Sequence, residues 1–140
     1  MDEINKTVDR FGTIRWRNSQ RRLHNPHGPA IIGADGYQAW YIRDQLHRAD
    51  GPAVIGADSY QSWRIRDKRH RTDGPAVIHA DGYQEWWIHD QRHRTDGPAV
   101  IGADGYQAWY LDNRKYTFER WLELTPLDPA DKIMLKCQYG

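Results

Sequence analysis

Short apolar runs recur along the chain, each followed by a polar turn and then by a second, aromatic run. Ala53-Val54-Ile55 is one such run, and its counterparts are Ala30-Ile31-Ile32, Ala76-Val77-Ile78 and Ala99-Val100-Ile101. Each is short, partly β-branched and too brief for a helix, so it predicts a strand. The turns that follow carry Asp35-Gly36, Asp58-Ser59, Asp81-Gly82 and Asp104-Gly105. Asp-Gly between two apolar runs predicts a hairpin, because glycine supplies the positive φ that tight turns need. A second strand is predicted over residues 60–65 and its equivalents. The chain then leaves through Arg66-Asp67-Lys68 and returns along Arg69-His70-Arg71 to the turn Asp73-Gly74-Pro75. Proline there removes a donor where no ladder bond is required. Each unit is therefore expected to be a hairpin plus a connecting arm.

The interval between units is constant. Trp40, Trp63, Trp86 and Trp109 stand 23 residues apart, as do His24, His47, His70 and His93, and Ala30, Ala53, Ala76 and Ala99. Self-similarity at this period predicts a mainly β, solenoid-like stack of hairpin repeats. The units start near residues 30, 53, 76 and 99, a half repeat covers 11–29 with Trp16 in the tryptophan place, and the repeat region as a whole spans 1–115. Strand side chains alternate between faces. One face carries Gln38-Trp40-Ile42 and its nearly invariant equivalents, which predicts a buried tryptophan spine. The other carries Tyr37-Ala39-Tyr41, Tyr60-Ser62-Arg64, Tyr83-Glu85-Trp87 and Tyr106-Ala108-Tyr110. Its variation predicts an exposed surface.

Beyond Leu111 the pattern changes. Phe118, Trp121, Leu122 and Leu124 fall near helical spacing, Thr125-Pro126 breaks the run, and Asp128-Pro129 supplies an N-cap and a first-turn proline for a second helix through Ile133, Met134 and Cys137. Residues 116–140 are thus expected to form a helical C-terminal cap over the last hairpin, where an open edge would otherwise pair with other chains.

Composition alters this picture in one respect. Only 39% of the 140 residues are hydrophobic, yet seven Trp and eight Tyr supply large apolar area, so the core is expected to be aromatic. The net charge of +1 imposes no nucleic-acid partner. One cysteine, Cys137, cannot form an internal disulfide, and the first ten residues lack the apolar core of a secretory signal. No run reaches the ~18 apolar residues of a membrane span. These features predict a cytoplasmic protein with no membrane association.

The 23-residue step, the Gly-Tyr…Trp hairpin and the following His-Arg-x-Asp-Gly-Pro-Ala, as in residues 47–53 and 70–76, resemble MORN and MORN-variant repeats of phages, giant viruses and bacteria. The resemblance covers residues 11 to 115. It implies an elongated, twisted antiparallel sheet of stacked hairpins and a binding or scaffolding role rather than catalysis. The chain is expected to be a monomer or homodimer. Together with the small size, the resemblance suggests a phage-encoded inhibitor of a host defence complex, acting in the bacterial cytoplasm.

Candidate chemistry is sparse. Stacked hairpins advance about 9.6 Å per unit, from ~4.8 Å between strands, so equivalent histidines cannot share a zinc ion that needs ligands at ~2 Å. They are expected to donate to a neighbouring loop or to carboxylates such as Asp50 or Asp73. No nucleophile, phosphate or dinucleotide motif is present, so neither catalytic residues nor cofactors nor metals are assigned. Basic residues gather at Arg43, Arg48, Arg64, Arg66, Lys68, Arg69, Arg71, Arg92 and Arg94, interleaved with aspartates. The candidate binding residues are Tyr37, Tyr41, Tyr60, Arg64, Tyr83, Glu85, Trp87, Tyr106 and Tyr110 on the variable face, with Arg66 and Arg71 at its edge. Aromatic and arginine side chains of this kind anchor protein interfaces. They could also stack bases and meet phosphates in single-stranded nucleic acid. A self-assembling structural repeat is the third reading.

Overall fold

A computed structural model describes residues 3–140; the first two residues of the expected repeat region lie outside it. The chain is mainly β, with 17 strands in antiparallel sheets among the described residues and two C-terminal helices. It opens with β1 (Asn5–Val8) and β2 (Ile14–Arg17). Four strands follow in each of the next units. These are β3 (Ile31–Ile32), β4 (Gln38–Ala39), β5 (Tyr41–Ile42) and β6 (Gln45–Leu46), then β7 (Val54–Ile55), β8 (Gln61–Ser62), β9 (Arg64–Ile65) and β10 (Lys68–Arg69). The third set is β11 (Val77–Ile78), β12 (Gln84–Glu85), β13 (Trp87–Ile88) and β14 (Gln91–Arg92). The last comprises β15 (Val100–Ile101), β16 (Gln107–Leu111) and β17 (Arg114–Tyr116), before α1 (Phe118–Leu124) and α2 (Pro129–Tyr139). An 11-stranded sheet runs β1-β2-β3-β4-β7-β8-β11-β12-β15-β16-β17, and β5-β6, β9-β10 and β13-β14 form separate two-stranded ribbons.

The first turn of each unit follows the Asp-Gly signal. Gly33 N–H donates to Tyr37 O at 2.8 Å, Gly36 takes φ 95°, and Asp35 Oδ1 accepts the Tyr37 N–H at 3.0 Å. This is a three-residue loop closed by a left-handed residue. Ser59 fills that left-handed place in the next unit at φ 75°.

The expected connecting arm is instead the return strand of a second hairpin. Its turns are Arg43-Asp44, Arg66-Asp67, His89-Asp90 and Asp112-Asn113, in which both residues have positive φ between 47° and 69°. That is the two-residue hairpin turn built here without glycine; Asp and Asn tolerate the left-handed region better than most residues. The tryptophan marks the change of partner. Trp63 N–H donates to Ala76 O in the main sheet at 2.7 Å, while Trp63 O accepts the His70 N–H of its own second hairpin at 3.1 Å.

Successive second hairpins are joined by the same two bonds. Asp67 N–H donates to Leu46 O at 2.8 Å and Asp67 Oδ1 accepts Leu46 N–H at 2.7 Å. Asp44 does the same to Leu23, Asp90 to Arg69 and Asn113 to Arg92. The histidines complete the joint, and here the expectation is corrected. They accept rather than donate: Nδ1 of His24, His47, His70 and His93 receives the backbone N–H of Arg43, Arg66, His89 and Asp112 at 3.0–3.2 Å.

The N-terminal half repeat is also corrected. Asp9 N–H donates to Thr13 O and Gly12 adopts φ 86°, so β1 and β2 form a complete first hairpin. Its turn, Asp9 to Thr13, repeats the hydrogen bond of Gly33 to Tyr37 with different residues, which hid it in the sequence.

Both helices lie where their caps put them. Thr117 Oγ1 accepts Arg120 N–H, and Asp128 Oδ1 accepts Asp131 N–H with Pro129 in the first turn. They bury Trp121 completely against Trp109, with Leu122 and Leu135 beside it. Trp121 Nε1 donates to Arg94 O at 3.0 Å and Thr125 Oγ1 to Thr95 O at 2.5 Å. The helices thus cover the tryptophan face of the last unit, and β17 remains the final strand of the sheet.

Candidate binding site

The variable face is not the open surface its sequence suggested. Ala39, Ser62 and Ala108 at its centre are buried, as are Val77 and Val100 on the neighbouring strands. The large side chain two residues further on folds back over that centre. Arg64 Nε donates to Ser62 Oγ at 3.0 Å, and Trp87 Nε1 donates to Glu85 Oε2 at 2.9 Å. Trp87 is only 5% exposed, packed with Ala76 and Val77 and against Tyr60. Arg69 stacks on it with Cζ 3.5 Å from the ring, and Arg92 approaches to 4.8 Å while its Nε donates to Glu85. Asp90 ties down Arg69 at 2.6 Å, and that hydrogen bond holds the Asp90 carboxyl below the usual range.

Tyr37, Tyr41, Tyr60, Tyr83 and Tyr110 are half-buried, and burial raises the phenol pKa of Tyr37, Tyr41 and Tyr83. Tyr60 and Tyr83 stand edge-on to His79 at 5.1 and 5.2 Å. Tyr106 is the exposed member of the row, accepting from Lys115 Nζ at 3.2 Å. Of the proposed binding residues, the structure therefore gathers Tyr60, Arg64, Glu85 and Trp87 into packing contacts. Arg66 sits exposed on a second-hairpin turn, and Arg71 lies on the opposite face.

The tryptophan face carries the arrangement that the sequence concealed. Trp40, Trp63 and Trp86 are half-buried rather than a closed spine, and only Trp109 is fully covered. An arginine eight residues on lies over each ring, with Arg48, Arg71 and Arg94 Cζ 4.0, 3.9 and 3.9 Å from the centroids of Trp40, Trp63 and Trp86. Two hydrogen bonds and a closely approaching glycine fix each guanidinium. For Arg71, Nε donates to Asp73 Oδ1 at 2.9 Å, Nη1 donates to Pro75 O at 3.0 Å, and Gly74 leaves the other side open, since a Cβ there would stand 2.9 Å from Arg71 Cζ. Arg48 and Arg94 repeat the set with Asp50-Gly51-Pro52 and Asp96-Gly97-Pro98. The Arg-x-Asp-Gly-Pro sequence is thus a clamp that holds a guanidinium over an indole ring. The constant offset from Trp to Arg-x-Asp-Gly was the signal available in the sequence.

Each clamp bounds an open pocket. The first, of about 480 Å³, lies between the Pro26–Pro29 loop and Trp40, Ile42 and His47. The second, of about 520 Å³, lies between the Arg48–Pro52 loop and Trp63, Ile65 and His70. The third, of about 340 Å³, adjoins Thr72, Trp86, Ile88 and His93. An equivalent Trp, Ile, His and Arg line all three, and neighbouring pockets share Arg48 or Arg71, so they form a row.

Five of the nine basic residues of the stripe are ion-paired. Arg48, Arg69, Arg71, Arg92 and Arg94 are paired with Asp50, Asp90, Asp73, Glu85 and Asp96. Among the described residues no helix is long and apolar enough to cross a membrane. No protein-family model matches the chain, and no curated protein matches it either.

Proposed function

We propose that this chain is a non-enzymatic, MORN-like solenoid that binds a protein partner along its tryptophan face. One observation carries the reading, the row of three pockets each lined by a Trp, an Ile, a His and a clamp Arg. A pocket of mixed apolar and polar lining, repeated along the chain with its groups at fixed places, suits a chain-like ligand better than a single small molecule. Pairing of five arginines with carboxylates supports a protein partner over a nucleic acid, which would need those cations free. The resemblance to phage repeat proteins supports a host defence complex as the source of that partner, with the chain acting as its inhibitor.

The test is stoichiometric capture from host lysate by the wild type beside two variants. Thr72→Trp fills the row from an exposed position that lines both the second and third pockets. Asp81→Trp places the same bulk on an exposed first-hairpin turn outside the row. The proposal expects Thr72→Trp to lose the partner and Asp81→Trp to keep it; capture that survives Thr72→Trp and fails with Asp81→Trp overturns the assignment of this face.

A further inference from the structure

We infer that the occupant of the pocket row is a left-handed polyproline II segment with proline at every third residue and acidic residues between. The inference rests on the protein-binding reading above and names the chemistry of the partner. It starts from spacing. Each unit adds two strands to the main sheet, so equivalent pockets are separated by about 9.6 Å, from ~4.8 Å between strands. A polyproline II helix rises ~3.1 Å per residue with three residues per turn, or about 9.3 Å per turn. Prolines at i, i+3 and i+6 therefore fall on consecutive pockets without stretching either partner. An extended β-strand, at ~3.3 Å per residue with a two-residue repeat, returns the same side every ~6.6 Å and drifts out of step after one pocket.

The lining fits that occupant. Polyproline II has no internal hydrogen bonds, so its carbonyls need donors from the partner. The indole N–H groups of Trp87 and Trp121 are taken by Glu85 and Arg94 O. Those of Trp40, Trp63 and Trp86 donate to no group among the described residues, and no buried side-chain nitrogen or oxygen is left without a partner, so these three donors reach the surface. Each pocket thus brings a Trp and an Ile side chain against which a pyrrolidine ring can pack, and each of these tryptophans keeps an accessible N–H for a carbonyl.

Charge selects the intervening residues. Ile42 and His47 line the first pocket and also an adjoining hollow of about 560 Å³ that holds Arg43 and Arg66. Both arginines are exposed, and neither side chain makes an ion pair or hydrogen bond among the described residues. The clamp arginines of the pockets are already satisfied by Asp50, Asp73 and Asp96. Free cationic charge therefore stands beside the row at Arg43 and Arg66, whereas the later units carry His89 and Asp112 at the same place. An acidic partner residue is drawn to the first two of these units, which gives the bound segment a direction.

The experiment is fluorescence anisotropy with synthetic peptides and the full chain. The main probe is a peptide of four Pro-Pro-Glu triplets. Its controls are four Pro-Pro-Lys triplets, which keep the helix and invert the charge, and four Glu-Ala-Ala triplets, which keep the charge and lose the helix. The inference expects saturable binding of the first, with affinity weakened about tenfold or more for each control. Thr72→Trp should abolish binding, and the exposed double variant Arg43→Glu, Arg66→Glu should weaken it by about tenfold; circular dichroism of both variants checks that the fold is kept. Equal binding of the Glu-Ala-Ala peptide, binding untouched by Thr72→Trp, or no binding of the Pro-Pro-Glu peptide overturns the inference. Oligothymidylate bound in the same groove and displaced by salt overturns it as well. If host capture is lost in Thr72→Trp while the proline peptides fail to bind, the polyproline assignment falls and the protein-binding function stands.

Discussion

The same tryptophan position is finished in two different ways along this chain. In the units of Trp40, Trp63 and Trp86 a guanidinium lies on the ring and leaves it half-open, while Trp109 is enclosed by Phe118, Trp121 and Tyr139 at 4.8, 4.5 and 5.0 Å. The last unit has no Arg-x-Asp-Gly-Pro loop, because Thr117 and the first turn of α1 occupy that stretch. An arginine roof holds the indole in place without drying it; an aromatic roof excludes water. The contrast separates what a unit needs in order to fold from what it leaves available for a ligand.

The most disruptive way to break that contrast is at Trp121. Removing a fully buried indole leaves a large cavity, so Trp121→Ala is expected to cost about 3–5 kcal/mol in urea unfolding. Trp63→Ala, from a half-open site, should cost visibly less under the same conditions; equal losses would mean the arginine roof is as dry as the helical one.

A second test removes the roof alone. Arg71→Ala is expected to cost about 1–2 kcal/mol through its cation–π contact and two hydrogen bonds. Arg71→Lys should not restore the loss, because an ammonium lacks the planar fork whose two nitrogens bond Asp73 and Pro75 O while the group stays over Trp63. Gly74→Ala should reproduce part of it by pushing the guanidinium off Trp63.

Smaller still is a gain. Ser59 holds a left-handed conformation that glycine fills in the four equivalent turns, at Gly12, Gly36, Gly82 and Gly105, so Ser59→Gly should raise stability by about 1 kcal/mol, read as a shift of the urea midpoint.

The mildest test is acid. Burial, and then the neighbouring His89, hold the His70 pKa below its ordinary 6.5. The folded state therefore favours neutral imidazole, whose Nδ1 accepts the His89 N–H. Its contribution is complete above pH 6.5 and is lost as pH falls through the lowered value, since below it both states are protonated. Thermal midpoints should drop less between about pH 7 and about pH 5.5 in His70→Gln than in the wild type, a window that brackets the ordinary histidine value. An unchanged acid sensitivity would remove His70 from the joint.

What could be read in advance follows the range of the signal. The Asp-Gly turns, the Asp128-Pro129 helix start and the break at Thr125-Pro126 are local, and they stand where the sequence put them. The second hairpin was missed because Arg66-Asp67 and its equivalents reach positive φ without glycine, held by aspartates that bond to the preceding unit. The two faces were misjudged for a related reason. Near-invariance around Trp40, Trp63 and Trp86 points to burial by itself, whereas it reflects the spatial demands of an Arg, Asp and Gly clamp. The variable face closed because small Ala39 and Ser62 admit the larger residues that follow them, which only the fold-back of Arg64 and Trp87 makes visible.

The paired aspartate bonds that join successive second hairpins also have a mechanical meaning. Each joint links a unit to the one before it, at Leu23, Leu46, Arg69 and Arg92, beside the main-sheet pairing of the same units, so a pull on the two ends passes through one such double coupling after another. Such a chain is only as strong as its weakest coupling. Under tension it would lengthen in steps, one unit yielding at a time, instead of rupturing as a block.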